Sequence, residues 1–196
     1  MNHLKIDYCF TEKLDDPNLI FSLKNSLKKV TEFHLLLYSD FNVVTFCKIT
    51  SLLDDHIIKF CVFGYKENFK CILDFVERNK SSLRQIKFRF CHINDHDLES
   101  LSVVKGLDLT SFNLFHCTEI TDFGFSKLCE SQKNIMKLDI SSCRLSDDAV
   151  FLIVKYLPKI KSLIMEGCSG VTDVSPFFII IDYAILYSFI SLNQCM

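Results

Sequence analysis

The stretch IMKLDISSCRLSDDAV, from Ile135 to Val150, changes its periodicity halfway through. Leu138 and Ile140 flank Asp139, the alternation of a half-buried strand. Ser146 followed by Asp147 and Asp148 reads as a helix N-cap with an acidic first turn, which complements the helix dipole. Val150, Ile153, Val154 and Leu157 then recur at i, i+3, i+4 and i+7, the spacing of one helix face. Cys143 sits where the strand gives way to the helix.

The same arrangement recurs along the chain. Behind Cys143, apolar residues stand at −3, −5 and −8: Ile140, Leu138 and Ile135. Cys117 has Leu114, Phe112 and Leu109 at those offsets, Cys91 has Phe88, Ile86 and Leu83, and Cys168 has Met165, Leu163 and Ile160. The four cysteines are 26, 26 and 25 residues apart. Tyrosine takes the slot in two earlier units. Tyr65 follows Val62, Phe60 and Ile57, and Tyr38 follows Leu35, Phe33 and Val30. Leu4 and Ile6 lie further back and are left out of the count. Six units of about 26 residues therefore run from 30 to 173, between an N-terminal flank at 1–29, read as no more than a degenerate capping repeat, and an apolar tail at 174–196.

Each unit reads as a short strand, a turn, a helix and a return. After the cysteine slot come CHINDHDL, CTEITDFGF, CRLSDDAV and CSGVTD, each with an apolar residue, a capping Asn, Thr or Ser, and then Asp. Phe69, Ile72, Leu73 and Val76 give the second unit its helical stripe. A helix is about 10 Å wide, whereas parallel strands lie about 4.8 Å apart. Stacked units should splay their helices outward. The expected fold is an α/β solenoid, a curved right-handed superhelix with parallel strands on the concave face and helices on the convex face.

Composition agrees with a single repeat array. The chain has 196 residues, 49% of them hydrophobic, with five Gly, three Pro and no Trp. A formal net charge of −2 argues against a broad nucleic-acid footprint. The start of the chain lacks the apolar stretch and small-residue cleavage site of a signal peptide. Ten cysteines without such a signal, and without any CxxC, point to free thiols in a cytoplasmic or nuclear setting.

The segments LTSFNLFHCTEITDFGFSKL, IMKLDISSCRLSDDAVFLIV and IKSLIMEGCSGVTD resemble the cysteine-containing class of leucine-rich repeats, whose form is LxxLxLxxC followed by an ITD-type helix start. The resemblance spans about Val30 to Asp173. That class is best known from F-box leucine-rich-repeat proteins, in which the F-box binds the Skp1 adaptor of a cullin ubiquitin ligase and the repeats hold the substrate. The resemblance thus implies a substrate-recognition role in ubiquitin-dependent degradation. Residues 1–29 show no F-box, so contact with Skp1 and cullin is expected only if an F-box is supplied elsewhere. A stand-alone repeat adaptor or assembly factor, mitochondrial assembly proteins included, is the alternative.

Residues flanking the buried strand positions should share the concave face, since side chains alternate along a strand. They form three columns: Glu32, Lys59, Gln85, Ser111, Lys137 and Ser162; His34, Cys61, Lys87, Asn113, Asp139 and Ile164; Leu36, Phe63, Arg89, Phe115, Ser141 and Glu166. Lys59, Phe63, Lys87, Arg89, Asn113, Phe115, Lys137, Asp139 and Glu166 are the candidate protein-binding residues, with Phe63, Arg89 and Phe115 of the types enriched at hot spots. A solvated face with the partner bound at a rim or at further repeats is the competing reading.

Tyr38, Tyr65, Cys91, Cys117, Cys143 and Cys168 form the expected structural ladder. A row of sulfurs about 5 Å apart does not converge on a zinc ion, which needs four at about 2.3 Å. His92 and His96 are four apart, but the frame puts one in a turn and one after the Asn94 cap, and no HExxH glutamate accompanies them. Neither a metal nor a cofactor is expected. No GxSxG, GxxxxGK[ST] or GxGxxG occurs, and nothing else supports an enzyme. Phe177 to Leu192 is apolar but short for a membrane span and carries Asp182. An atypical cap or truncated repeat is preferred there over a membrane tether.

Overall fold

The structure is a computed structural model that describes residues 3–7, 24, 27–36, 43–66 and 69–172. Seven strands form one all-parallel sheet in sequence order: β1 (His3–Asp7), β2 (Glu32–Leu36), β3 (Lys59–Phe63), β4 (Gln85–Arg89), β5 (Ser111–Asn113), β6 (Lys137–Asp139) and β7 (Ser162–Ile164). Among the described residues five helices alternate with them: α1 (Val43–Ser51), α2 (Lys70–Asn79), α3 (Asp95–Ser102), α4 (Asp122–Ser131) and α5 (Asp147–Tyr156). The apolar tail, Tyr38 and Asp173 lie outside the described residues. Among the described residues no helix is long and apolar enough to cross a membrane.

The sheet has one strand more than the six units counted from sequence. β1 pairs with β2 with Leu4 opposite Phe33 and Ile6 opposite Leu35. Leu4 and Ile6 stand at −5 and −3 from Cys9, with Met1 at −8, so the pattern was present there, but the 29 residues from Cys9 to Tyr38, against 25 to 27 between later slots, hid the repeat.

The repeated offsets become a continuous core. Residues at −8, −5 and −3, from Val30, Phe33 and Leu35 to Ile160, Leu163 and Met165, are all buried. Rings fill its N-terminal half, with Phe60 and Phe75 at 4.6 Å and Phe88 meeting Phe112 edge-on at 6.1 Å. Two buried amides close the return from helix to strand. Asn79 Oδ1 accepts the Ile57 N–H at 2.9 Å, and Gln132 Oε1 accepts the Leu109 N–H at 3.0 Å. Each thereby joins a helix end to the start of its own unit's strand, satisfying a backbone donor that no helix or sheet pairs.

Helix starts follow the sequence closely. Asn94 caps α3 in a full capping box with Asp97, Thr121 caps α4 and Ser146 caps α5. Among the described residues, the one just before each cysteine or tyrosine slot lies in the left-handed region: Gly64, Phe90, His116, Ser142 and Gly167, with φ of 75°, 54°, 57°, 57° and 67°. Glycine adopts this region freely, whereas the other three bear its steric cost. The left-handed residue makes the corner that turns the chain from sheet toward helix.

Candidate protein-binding face

Strand register assembles the columns. Glu32, Lys59, Gln85, Ser111, Lys137 and Ser162 are successive partners across β2 to β7, as are His34, Cys61, Lys87, Asn113, Asp139 and Ile164. The third column runs in register through Leu36, Phe63 and Arg89. Beyond the short strands, backbone bonds carry it on: the Phe90 N–H donates to the Phe115 carbonyl at 2.9 Å, His116 to Ser141 at 2.8 Å and Ser142 to Glu166 at 2.7 Å.

The columns differ in how free their side chains are. Lys59 Nζ donates to Glu32 Oε1 at 2.5 Å, and this bond holds the Glu32 carboxyl below the usual range. Asn113 Nδ2 donates to Asp139 Oδ2 at 2.5 Å, while Asn113 Oδ1 and Asp139 Oδ1 accept the N–H groups of Phe115 and Ser141. Asn113 and Asp139 are therefore tied to the sheet end, and Ser141 is buried. Lys87, Arg89 and Lys137 are exposed, and Lys59, Phe63, Phe115 and Glu166 are half-buried.

An aromatic group gathers where the third column meets the left-handed corners. Phe90 lies 5.1 Å from Phe63 and 5.2 Å from Phe115, and the Arg89 guanidinium sits over the Phe115 ring at 4.8 Å. His116 packs on Phe90 at 4.8 Å. Phe90 is 40% exposed, a large apolar side chain presented to solvent. Phe90 and His116 were not among the candidates read from sequence. Simple alternation does not place them, because a left-handed residue breaks it. The glycines at the same offset, Gly64 and Gly167, were the available signal.

The thiol ladder is built as a row, and it does more than fill space. Each Sγ donates to the carbonyl at the −3 position of the unit before: Cys91 to Val62 at 3.5 Å, Cys117 to Phe88 at 3.6 Å, Cys143 to Leu114 at 3.0 Å and Cys168 to Ile140 at 3.1 Å. Burial pushes the Cys143 thiol up to about 12 and raises Cys168 as well, so the donor keeps its proton. Tyr65 is fully buried in the same slot. His92 and His96 take different acidic partners, Glu119 at 2.9 Å and Glu99 at 3.8 Å, and do not face one ligand.

No family model matches the chain. The fold has a solved counterpart. A chain in the crystal structure of the Rad7 and Elc1 complex in yeast superposes with a TM-score of 0.53 at 16% identity, over 81% of this chain and 49% of that one. The present chain spans about half the length of the structure it matches, and at this identity the likeness is one of fold. A single parallel sheet alternating with helices fits the leucine-rich-repeat pattern read from the cysteines.

Proposed function

We propose that the chain is a non-catalytic protein-recognition module. The exposed face of the sheet, as the inner side of a leucine-rich-repeat arc, would hold the partner. The observation that carries this reading is the group of Phe63, Phe90 and Phe115 with Arg89, which offers aromatic anchors and a cation together on a rigid sheet end. Lys59 and Lys87 extend the cationic side, while Glu166 lies at the far end of the third column. A partner with an apolar anchor and flanking acidic residues would be complementary.

The role we infer for this module is substrate recognition in a ubiquitin ligase of the Skp1–cullin–F-box type, with ubiquitin transfer elsewhere in the complex. Support comes from the repeat resemblance and from a fold neighbour solved as part of a protein complex. Capture of the chain from cells, where an F-box can be supplied by another protein, followed by size exclusion and probing for Skp1 and cullin, tests the ligase part. A stable complex supports it, and a chain that elutes alone beside another bound protein favours the stand-alone adaptor. For the face itself, Arg89→Glu combined with Phe115→Ala should abolish partner capture with an unchanged circular dichroism spectrum. Capture at the wild-type level by a folded variant would remove this surface from the account.

A further inference from the structure

We propose that His3, Glu32 and His34 form a site for a divalent transition metal, zinc by donor chemistry, at the β1–β2 end of the sheet. Parallel pairing puts His3 directly opposite Glu32, and His34 follows on the same face of β2. One donor atom from each of the three lies within 4.8 Å of the others. His3 Nδ1 is 3.4 Å from Glu32 Oε2, and the two imidazole rings are 4.3 Å apart, centre to centre. Tetrahedral ligands at about 2.05 Å from zinc stand roughly 3.4 Å from one another. The His3–Glu32 edge already has that length, and side-chain rotation closes the remainder.

The donor set suits the ion. Two imidazoles and one carboxylate are ligands of open zinc sites, in which water or a further group takes the fourth position. Room for it exists beside the triad, in a hollow of about 130 Å³ lined by Glu32, His34, Lys59, Cys61 and Lys87, among others. Lys59 holds Glu32 through Oε1, which leaves Oε2 turned to His3 and orients the carboxylate as outer partners of metal ligands do. Lys59 and Lys87 beside the hollow oppose a dication by Coulomb repulsion, which weakens its binding. His3 and Glu32 are 29 residues apart and carry no spacing motif, which is why sequence reading expected no metal.

The test is titration of the full chain with ZnCl₂ by calorimetry, and with CoCl₂ by visible absorption, under reducing conditions. One equivalent should bind, at least tenfold more weakly in His3→Ala and in His34→Gln, and unchanged in His92→Ala. The cobalt complex should show tetrahedral d–d bands without a near-ultraviolet thiolate band. Because the His3 side chain is 48% exposed, His3→Ala keeps the test valid even where His34→Gln perturbs the edge. Undiminished binding in His3→Ala would overturn the proposal, as would a thiolate band, which would place the metal on the cysteines, or no binding at all.

Discussion

The carboxylate of Asp95 accepts two hydrogen bonds from Thr121 of the next unit, from its N–H at 2.8 Å and its hydroxyl at 2.6 Å. Asp122 holds Ser146 in the same way at 3.1 and 2.6 Å, and Asp147 holds Thr172 at 2.8 and 2.7 Å. The first acid of a helix thus holds a residue of the following unit, and Thr121 and Ser146 in turn cap their own helices. Helix registration passes from unit to unit along this chain of carboxylates.

Asp122→Ala should therefore destabilise the array by about 1–2 kcal/mol, since two charge-assisted bonds are lost at a partly exposed site. Urea unfolding checks this. A loss within a few tenths of a kcal/mol would reduce the acid to a dipole effect. Gly124→Ala acts on the preceding tie, that of Asp95 to Thr121, because a Cβ there would come within 2.5 Å of the Asp95 backbone. It should cost at least as much.

The thiol ladder predicts a pH dependence. A folded Cys143 near 12, against an ordinary value of 9.0, binds its proton more tightly in the folded state. Its stabilisation is complete below pH 9 and falls as pH rises toward 12, by at most about 1.4 kcal/mol per pH unit. The difference in stability between wild type and Cys143→Ala should shrink over that range, while remaining constant from pH 6 to 8. A constant difference up to pH 11 would contradict the assignment.

The left-handed corners predict that Ser142→Gly raises stability by about 0.5–1 kcal/mol, by removing the steric cost at φ 57°. At Phe90 the same exchange separates fold from function. Phe90→Gly relaxes the backbone but deletes the ring between Phe63 and Phe115, so thermal stability should hold while partner binding weakens at least tenfold.

Cys47 on α1 and Cys71 on α2 bring their sulfurs within 3.4 Å across neighbouring units. Burial, followed by the hydrogen bond to Cys47, pushes the Cys71 thiol up to about 11, which slows its attack without blocking the pair. Glutathione disulfide should convert the two thiols to a disulfide with release of two glutathione thiols. Peptide mapping under non-reducing conditions would find the Cys47–Cys71 link, absent in Cys47→Ser. Two freely alkylated cysteines after prolonged oxidation would refute it.

The parts of this fold that were legible in sequence are those that repeat. Buried positions at −8, −5 and −3 recur in every unit, so the core, the strand columns and the cysteine slot could be placed by offset. What was missed depends on contacts between units or on backbone sign. Asp95, Asp122 and Asp147 looked like dipole partners because Thr121, Ser146 and Thr172 are about 25 residues away. Phe90 and His116 left the alternation because their φ is positive. The thiols were read as a structural ladder, and their bonds to Val62, Phe88, Leu114 and Ile140 need the stacked geometry to be seen. The triad of His3, Glu32 and His34 exists only through the register of β1 on β2.

The central claim, that the sheet face binds the partner, is tested most directly by site-specific photo-crosslinking in cells. A benzophenone side chain would replace Phe90 at the sheet end or Phe123, which is 59% exposed on α4. The account predicts a discrete partner adduct from position 90 that disappears with Arg89→Glu, and none from position 123. A discrete adduct from position 123 alone would place recognition on the helices and contradict it.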